Sequence, residues 1–91
     1  KANQINPTKS AYVTALARIT SEDLKQYKEA EKLFAKATEL NFADSDAHYR
    51  RGMLLIEKLG RRKDGEAELK IALEQKPEDK EIKAACERFI R

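Results

Sequence analysis

The sequence predicts an all-α fold of two helical hairpins followed by a C-terminal capping helix. The chain has 91 residues with only three Gly and two Pro, so residues that break helices are rare. Its apolar residues recur every three or four positions, which is the spacing of one face of a helix. A pattern of small and large apolar residues also recurs after 35 residues, which is typical of stacked supersecondary units.

The 35-residue shift aligns residues of similar type along the chain. The aligned groups are Ala17 with Gly52, Ala30 with Gly65, Phe34 with Leu69, Ala2 with Ala37 and Ala72, and Pro7 with Phe42 and Pro77. We therefore divide the chain into residues 1–7, interpreted as the tail of a preceding repeat or an N-terminal extension, a first repeat at 8–42, a second repeat at 43–77, and a capping helix at 78–91.

Both predicted helices of the first repeat have one apolar face. The first covers about 9–23, and its apolar residues are Tyr12, Val13, Leu16, Ala17 and Ile19. The second covers about 25–40, and its apolar residues are Ala30, Leu33, Phe34, Ala37 and Leu40. Residues 20–23 could also cap a helix start, but the repeat places the turn near 25–26, opposite Gly60.

The second repeat carries clearer boundary signals. Its helices are predicted at about 45–59 and 64–75. Asp44 supplies a capping side chain before the first of them. Gly60 lies where a left-handed residue would end that helix, and Pro77 ends the next one.

The last segment, 78–91, has the pattern of a capping helix. One face is apolar and the other is charged, as expected for a helix that covers the open end of a stack. The apolar residues are Ile82, Ala85, Cys86 and Phe89.

These columns resemble the tetratricopeptide repeat, a helix–turn–helix unit of about 34 residues with small residues where its helices cross. In the second repeat the matching residues are Gly52, Gly65, Leu69, Ala72 and Pro77, and in the first they are Ala17, Ala30, Phe34 and Ala37. The chain departs from the family pattern at Arg51, Gly65 and Phe42, and each unit has one extra residue between its helices.

The resemblance implies a right-handed α-α superhelix, or solenoid, whose first helices line a concave surface. It also implies a non-catalytic module that presents this surface to a peptide or partner protein, within a larger repeat protein or assembly. The residues expected to contact the partner are Thr14, Arg18, Ser21, Asp46, Tyr49, Met53 and Ile56. Of these, the apolar stripe formed by Tyr49, Met53 and Ile56 fits either a binding groove or a core between neighbouring helices.

Two alternative functions come from other features of the sequence. An open first repeat would expose Tyr12, Leu16 and Ile19 to a second copy of the chain, which predicts a homo-oligomer. A cluster of basic residues could instead contact RNA phosphates, although neighbouring acids favour a solvated turn over a nucleic-acid site. The cluster comprises Arg50, Arg51, Lys58, Arg61, Arg62 and Lys63.

Composition argues against several other classes of function. The net charge of +3 is too small to indicate nucleic-acid binding by itself. The single His48 and single Cys86 fall on different helices and are expected to pack in the interior, and the sequence has no Gly-rich phosphate loop or metal-ligand spacing. We therefore predict no catalytic residue, no cofactor and no metal. The apolar runs are far shorter than the roughly 20 residues that span a bilayer, so no membrane insertion is expected.

Overall fold

A computed structural model describes residues 7–90, and this part of the chain is helical without strands, which confirms the predicted all-α class. Apart from Pro7, the predicted tail of a preceding repeat lies outside the described residues, as does Arg91. The helices are α1 (Pro7–Glu22), α2 (Tyr27–Leu40), α3 (Ser45–Glu57), α4 (Arg62–Gln75) and α5 (Lys80–Phe89).

The helices pack in sequence order. α1 pairs with α2 and α3 pairs with α4, while α2 contacts α3 and α4 contacts α5. One set of buried side chains joins α1, α2 and α3, and includes Val13, Ala17, Ala30, Phe34, Ala37, Ala47 and Leu54. A second set joins α4 to α5 and includes Leu69, Ala72, Ile82, Ala85 and Cys86, with α3 side chains packed against it. α3 is therefore the central helix, because it contributes to both sets.

Small residues allow the two helices of each hairpin to approach closely. A Cβ atom added to Gly52 would lie 2.8 Å from the carbonyl oxygen of Gly65, and one added to Gly65 would lie 2.6 Å from the carbonyl oxygen of Gly52. At the equivalent crossing in the first hairpin, Ala17 and Ala30 are both completely buried. The crossings expected from these small residues are present in both hairpins.

The turns inside the two hairpins have the same backbone conformation, 35 residues apart. Lys25 and Gly60 both have positive φ, at 56° and 69°. The next residues close the turn, because the N–H of Gln26 donates to the Thr20 carbonyl at 3.0 Å and that of Arg61 to the Leu55 carbonyl at 2.8 Å. This is the left-handed helix ending that Gly60 predicts. In the first hairpin, Lys25 adopts the same conformation without being glycine.

The helix starts also recur at this shift. Asp44 caps α3 by accepting a hydrogen bond from the N–H of Ala47 at 3.1 Å. Asp79, 35 residues later, caps α5 by accepting from the N–H groups of Glu81 and Ile82. α5 therefore begins as α3 does, and it covers α4 as α3 covers α2.

The observed helix ends differ from the expected ones by a few residues. α2 and α4 are both 14 residues long, and they begin at Tyr27 and Arg62 rather than at 25 and 64. The left-handed residues explain the later start of α2, because a helix cannot continue through a positive φ. α1 begins at Pro7, a residue type that suits the first helical turn because its missing N–H would have no partner there.

A polar cluster joins α2, α3 and α4. The Arg51 guanidinium lies 2.7 Å from Glu31 of α2 and 3.1 Å from Glu68 of α4. His48 is 2% exposed, with Nδ1 at 2.7 Å from Glu68 and Nε2 at 2.8 Å from the carbonyl oxygen of Phe42. Its ring also packs edge-on against the ring of Phe42. This cluster ties the central helix to both of its neighbours.

Candidate functional site

One face of the molecule, formed by α1, α3 and α5, carries two adjoining depressions. Both are lined by Tyr49, Arg50 and Met53 of α3, which form the ridge between them. We call the two depressions together the α1–α3–α5 groove. α2 and α4 lie behind it, so the groove is built mainly from the first helix of each hairpin and from α5.

The first depression lies between α1 and α3 and has a volume of about 250 Å³. Phe34 of α2 and Leu54 of α3 contribute to its lining and are otherwise buried, at 2% and 5% exposure. Its remaining lining residues are polar: Arg18, Ser21 and Glu22 from α1, with Glu57 and Lys58 from the end of α3. This depression therefore combines an apolar base with charged side chains of both signs.

The second depression lies between α3 and α5 and has a volume of about 440 Å³. α5 supplies Glu81, Ala84, Ala85, Arg88 and Phe89 to its wall. The small side chains of Ala84 and Ala85 leave space opposite the ridge, and the charged groups of Glu81 and Arg88 lie at its edge. An extended chain crossing the ridge would therefore meet apolar surface between charged borders.

Tyr49 is half-buried in the ridge between the depressions. Burial raises the pKa of its hydroxyl above 10.0, and the negative charge of Glu81 raises it further, while Arg50 lowers it. The hydroxyl is therefore protonated at neutral pH and can donate a hydrogen bond. Met53 lies one turn further along α3 and has an unbranched, polarisable side chain that adapts to different apolar partners.

Four of the seven predicted contact residues line the groove. Arg18, Ser21, Tyr49 and Met53 come together there from α1 and α3. Asp46 is exposed but lies outside both depressions, where its carboxylate pairs with Arg50 at 2.9 Å. This pair helps to hold Arg50 in place on the ridge.

Thr14 and Ile56 do not have the position expected for them. Thr14 is 5% exposed, and its hydroxyl donates to the Asp44 carboxylate at 3.3 Å. Ser10 donates to the same carboxylate at 2.6 Å, so Asp44 links α1 to the start of α3. Ile56 packs into the α3–α4 interface, where its Cγ1 atom would lie 2.5 Å from a Cβ atom on Gly65. These two residues stabilise helix packing.

The sequence left open whether the apolar stripe on α3 lines a binding groove or packs between neighbouring helices, and its three residues differ in this respect. Ile56 packs at the α3–α4 interface, whereas Tyr49 and Met53 pack against the buried side chains of α4 and α5 and also line the groove. The sequence does not predict the α5 wall, because the charged face of 78–91, which carries Glu81 and Arg88, has the pattern of a solvated surface. The 35-residue shift from Asp44 to Asp79 is the signal that could have indicated this wall, because it makes α5 the equivalent of α3.

The arginines of the basic cluster all have acidic partners. Arg51 contacts Glu31 and Glu68 between the helices, as described above. At the surface Arg50 pairs with Asp46, Arg61 with Asp64, and Arg62 with Glu66, at 2.7–2.9 Å. Lys58 lies over the ring of Tyr27, 5.4 Å from its centre. These pairs reduce the positive potential that phosphate binding needs.

Cys86 and His48 are both buried, as expected. The Cys86 thiol lies 3.5 Å from the carbonyl oxygen of Leu69, and burial raises its pKa above 9.0. A buried thiol with a raised pKa is a poor nucleophile. Among residues 7–90, no three His, Cys, Asp or Glu side chains are grouped so that they could hold a metal ion.

No helix in the described part of the chain has the length and apolar character needed to cross a bilayer. No family model, no curated protein and no solved structure matches the chain.

Proposed function

We propose that the chain is a non-catalytic helical-repeat module that binds a peptide or an extended segment of a partner protein in the α1–α3–α5 groove. In this proposal the hairpins form a right-handed superhelix of the tetratricopeptide kind, with the groove on its concave side. The recurrence of turns and caps after 35 residues supports the repeat. The small residues at both helix crossings support the family resemblance.

The observation that carries the proposal is the position of Tyr49 and Met53. Both side chains line both depressions, so the two depressions form one surface rather than separate holes. Aromatic and Met side chains supply large, adaptable contact area and are enriched at protein interfaces. Because neighbouring helices hold the ridge in place, a ligand would not have to order it on binding.

The charges around the groove indicate what kind of segment fits. Arg18 and Lys58 lie beside Glu22 and Glu57 in the first depression, and Glu81 lies with Arg88 in the second. A segment with one central apolar side chain and charged residues of both signs on its flanks would match this arrangement. The polar borders would contribute to specificity more than to affinity.

The experiment is selection of peptides from a random phage-displayed library on the intact chain, followed by affinity measurements with synthetic peptides. Tyr49→Ala should weaken binding by about tenfold or more, because removing a central aromatic side chain usually costs that much. Leu24→Ala is the control, because Leu24 is 58% exposed and lies outside the groove, and it should change affinity by less than about twofold.

A second pair of variants separates binding from folding. Arg18→Glu reverses an exposed charge in the groove, and Lys36→Glu reverses an exposed charge on α2. Neither residue is part of the core, so circular dichroism should show the same helix content and unfolding midpoint for both. Selected peptides that bind Tyr49→Ala and Arg18→Glu as tightly as the unmodified chain would refute the proposed site.

A further inference from the structure

α1 has an exposed apolar stripe on the side that faces away from both α2 and the groove. We call it the α1 outer stripe, and it consists of Tyr12, Leu16 and Ile19, which are 66%, 39% and 50% exposed. The three residues follow the spacing i, i+4 and i+7 and so lie along one side of the helix. Ala11 and Ala15 are also exposed, and no charged residue falls between 11 and 17.

α3 and α5 correspond to α1 in the 35-residue repeat, and in both of them the side equivalent to the stripe is covered by the preceding helix. A shift of 35 residues leads from the stripe to Ala47, Arg51 and Leu54 of α3. Ala47 and Leu54 are 0% and 5% exposed, in the same clusters as Ala37 and Phe34 of α2. Arg51 pairs with Glu31 of α2. This side of α3 is therefore the surface on which α2 packs.

The same relation holds for α5. A further shift of 35 residues leads to Ile82, Cys86 and Phe89, which pack with Leu69 and Ala72 of α4. Ile82 and Cys86 are 3% and 8% exposed. Residues 7–90 contain three equivalent helices, α1, α3 and α5. On α3 and α5 the side that corresponds to the α1 outer stripe is covered by a helix, whereas on α1 it is exposed.

We propose that the α1 outer stripe is a docking site for an amphipathic α-helix supplied by a partner. The two helices already bound at equivalent sites indicate the chemistry of its contact face. α2 presents Phe34 and Ala37, and α4 presents Leu69 and Ala72. Both faces have a large apolar residue followed three positions later by Ala. The fully buried Ala residues let the helices approach closely.

The stripe itself favours a partner like α4. Its residues are all apolar and uncharged, as Ile82, Cys86 and Phe89 are on α5, whereas α3 has Arg51 in the middle position. A partner for Leu16 therefore needs no acidic residue corresponding to Glu31. An apolar face with Leu at i, Ala at i+3 and Leu at i+4, as in Leu69, Ala72 and Leu73, fits this requirement.

A second copy of the chain is a poorer occupant than a separate helix. The two helices with the required contact face, α2 and α4, are already covered by α3 and α5 in the part of the chain that the structure describes. Two outer stripes packed against each other would place large side chains opposite large side chains, without the small residue found at both observed contacts.

The test uses a synthetic peptide with the α4 sequence, 62–75, labelled with fluorescein and titrated with the intact 91-residue chain. Short helices are marginal in water, so the peptide carries Ala67→Glu joined to Lys63 by a lactam, on the side away from Leu69 and Ala72. We expect saturable one-to-one binding by fluorescence polarisation. Leu69→Lys in the peptide should abolish it.

Variants of the chain locate the binding surface. Leu16→Lys should weaken peptide binding by about tenfold or more, because it places a charge in the centre of the contact. Leu24→Lys is the matched control, because Leu24 is 58% exposed in the turn and outside the stripe, and it should change affinity by less than about twofold. Tyr12→Ala is a second variant at the most exposed position and should also weaken binding. Circular dichroism checks that each variant is folded.

Three results would overturn the proposal. The first is no binding at chain concentrations up to about 1 mM, the weak end of specific affinities. The second is an equal loss of affinity in Leu16→Lys and Leu24→Lys. The third is a dimer of the unmodified chain in sedimentation equilibrium that Leu16→Lys dissociates, because the stripe would then bind a second copy.

Discussion

Replacing Gly65 with alanine tests the idea that the crossing of α3 and α4 depends on residues without side chains. The added Cβ atom would lie 2.6 Å from the carbonyl oxygen of Gly52 and 2.5 Å from Cγ1 of Ile56. The Ile56 side chain can rotate, but the Gly52 carbonyl belongs to a helix backbone. To bring that contact to an ordinary 3.4 Å, the helices would have to separate by about 0.8 Å.

Two opposing effects set the size of the change. Alanine favours a helix interior over glycine by about 1 kcal/mol. Overpacking of a filled interface costs about 1–3 kcal/mol, and two simultaneous contacts, one with backbone, place this substitution in the upper half of that range. We therefore expect Gly65→Ala to lower the free energy of unfolding by about 1–2 kcal/mol. In a domain of this size the melting temperature should fall by roughly 5–15 °C.

Urea unfolding followed by circular dichroism at 222 nm measures the change directly. Ile56→Ala should cost less free energy of unfolding in the Gly65→Ala background than in the unmodified chain, because it removes the Cγ1 atom at one of the two contacts but leaves the backbone contact. An equal or higher unfolding midpoint for Gly65→Ala would mean that helix propensity dominates and that the close crossing does not constrain this position.

Three further predictions concern packing and charge. Arg51→Met should lower the free energy of unfolding by about 3 kcal/mol, because it removes the guanidinium that pairs with the largely buried carboxylates of Glu31 and Glu68. Arg61→Met, at an exposed ion pair, should lower it by less than about 1 kcal/mol in the same urea assay. Lys25→Gly should raise the free energy of unfolding by about 1 kcal/mol and Gly60→Ala should lower it by a similar amount, because both positions have positive φ; midpoints that move in the same direction would contradict this. Burial raises the pKa of the Cys86 thiol above 9.0, so the folded chain holds this proton more tightly than the unfolded chain does. The free energy of unfolding should therefore fall as pH rises through and above 9, with a shallower slope in Cys86→Ala. Equal slopes in the two chains would contradict this assignment.

The hairpins and their crossings could be predicted from the sequence because their signals are local or strictly periodic. Gly52 and Gly65 are small residues at a fixed offset within one repeat, and Gly60 marks a turn by its own backbone preference. Asp44 is recognisable as a cap because it immediately precedes an apolar helical pattern. These features need no knowledge of how one hairpin contacts the next.

The residues that the sequence misplaced depend on contacts between distant segments. Thr14 lies on the expected helix, but its hydroxyl donates a hydrogen bond to the carboxylate of Asp44, 30 residues away. Arg51 was expected in a solvated basic cluster, yet it bridges acids 20 and 17 residues away on two other helices. Nothing in the local pattern distinguishes Ile56 from Met53. The difference arises because α4 approaches α3 at Gly65, beside Ile56.

The most direct test of the proposed groove is a nuclear magnetic resonance titration of the isotope-labelled 91-residue chain with a library-selected peptide. The groove predicts that the largest chemical-shift changes occur at Arg18, Tyr49, Met53 and Ala84, which lie on α1, α3 and α5. Lys36 on α2 and Leu24 in the turn should not move. Shifts confined to α2 and α4, or to the α1 outer stripe, would contradict the claim that the groove is the binding surface.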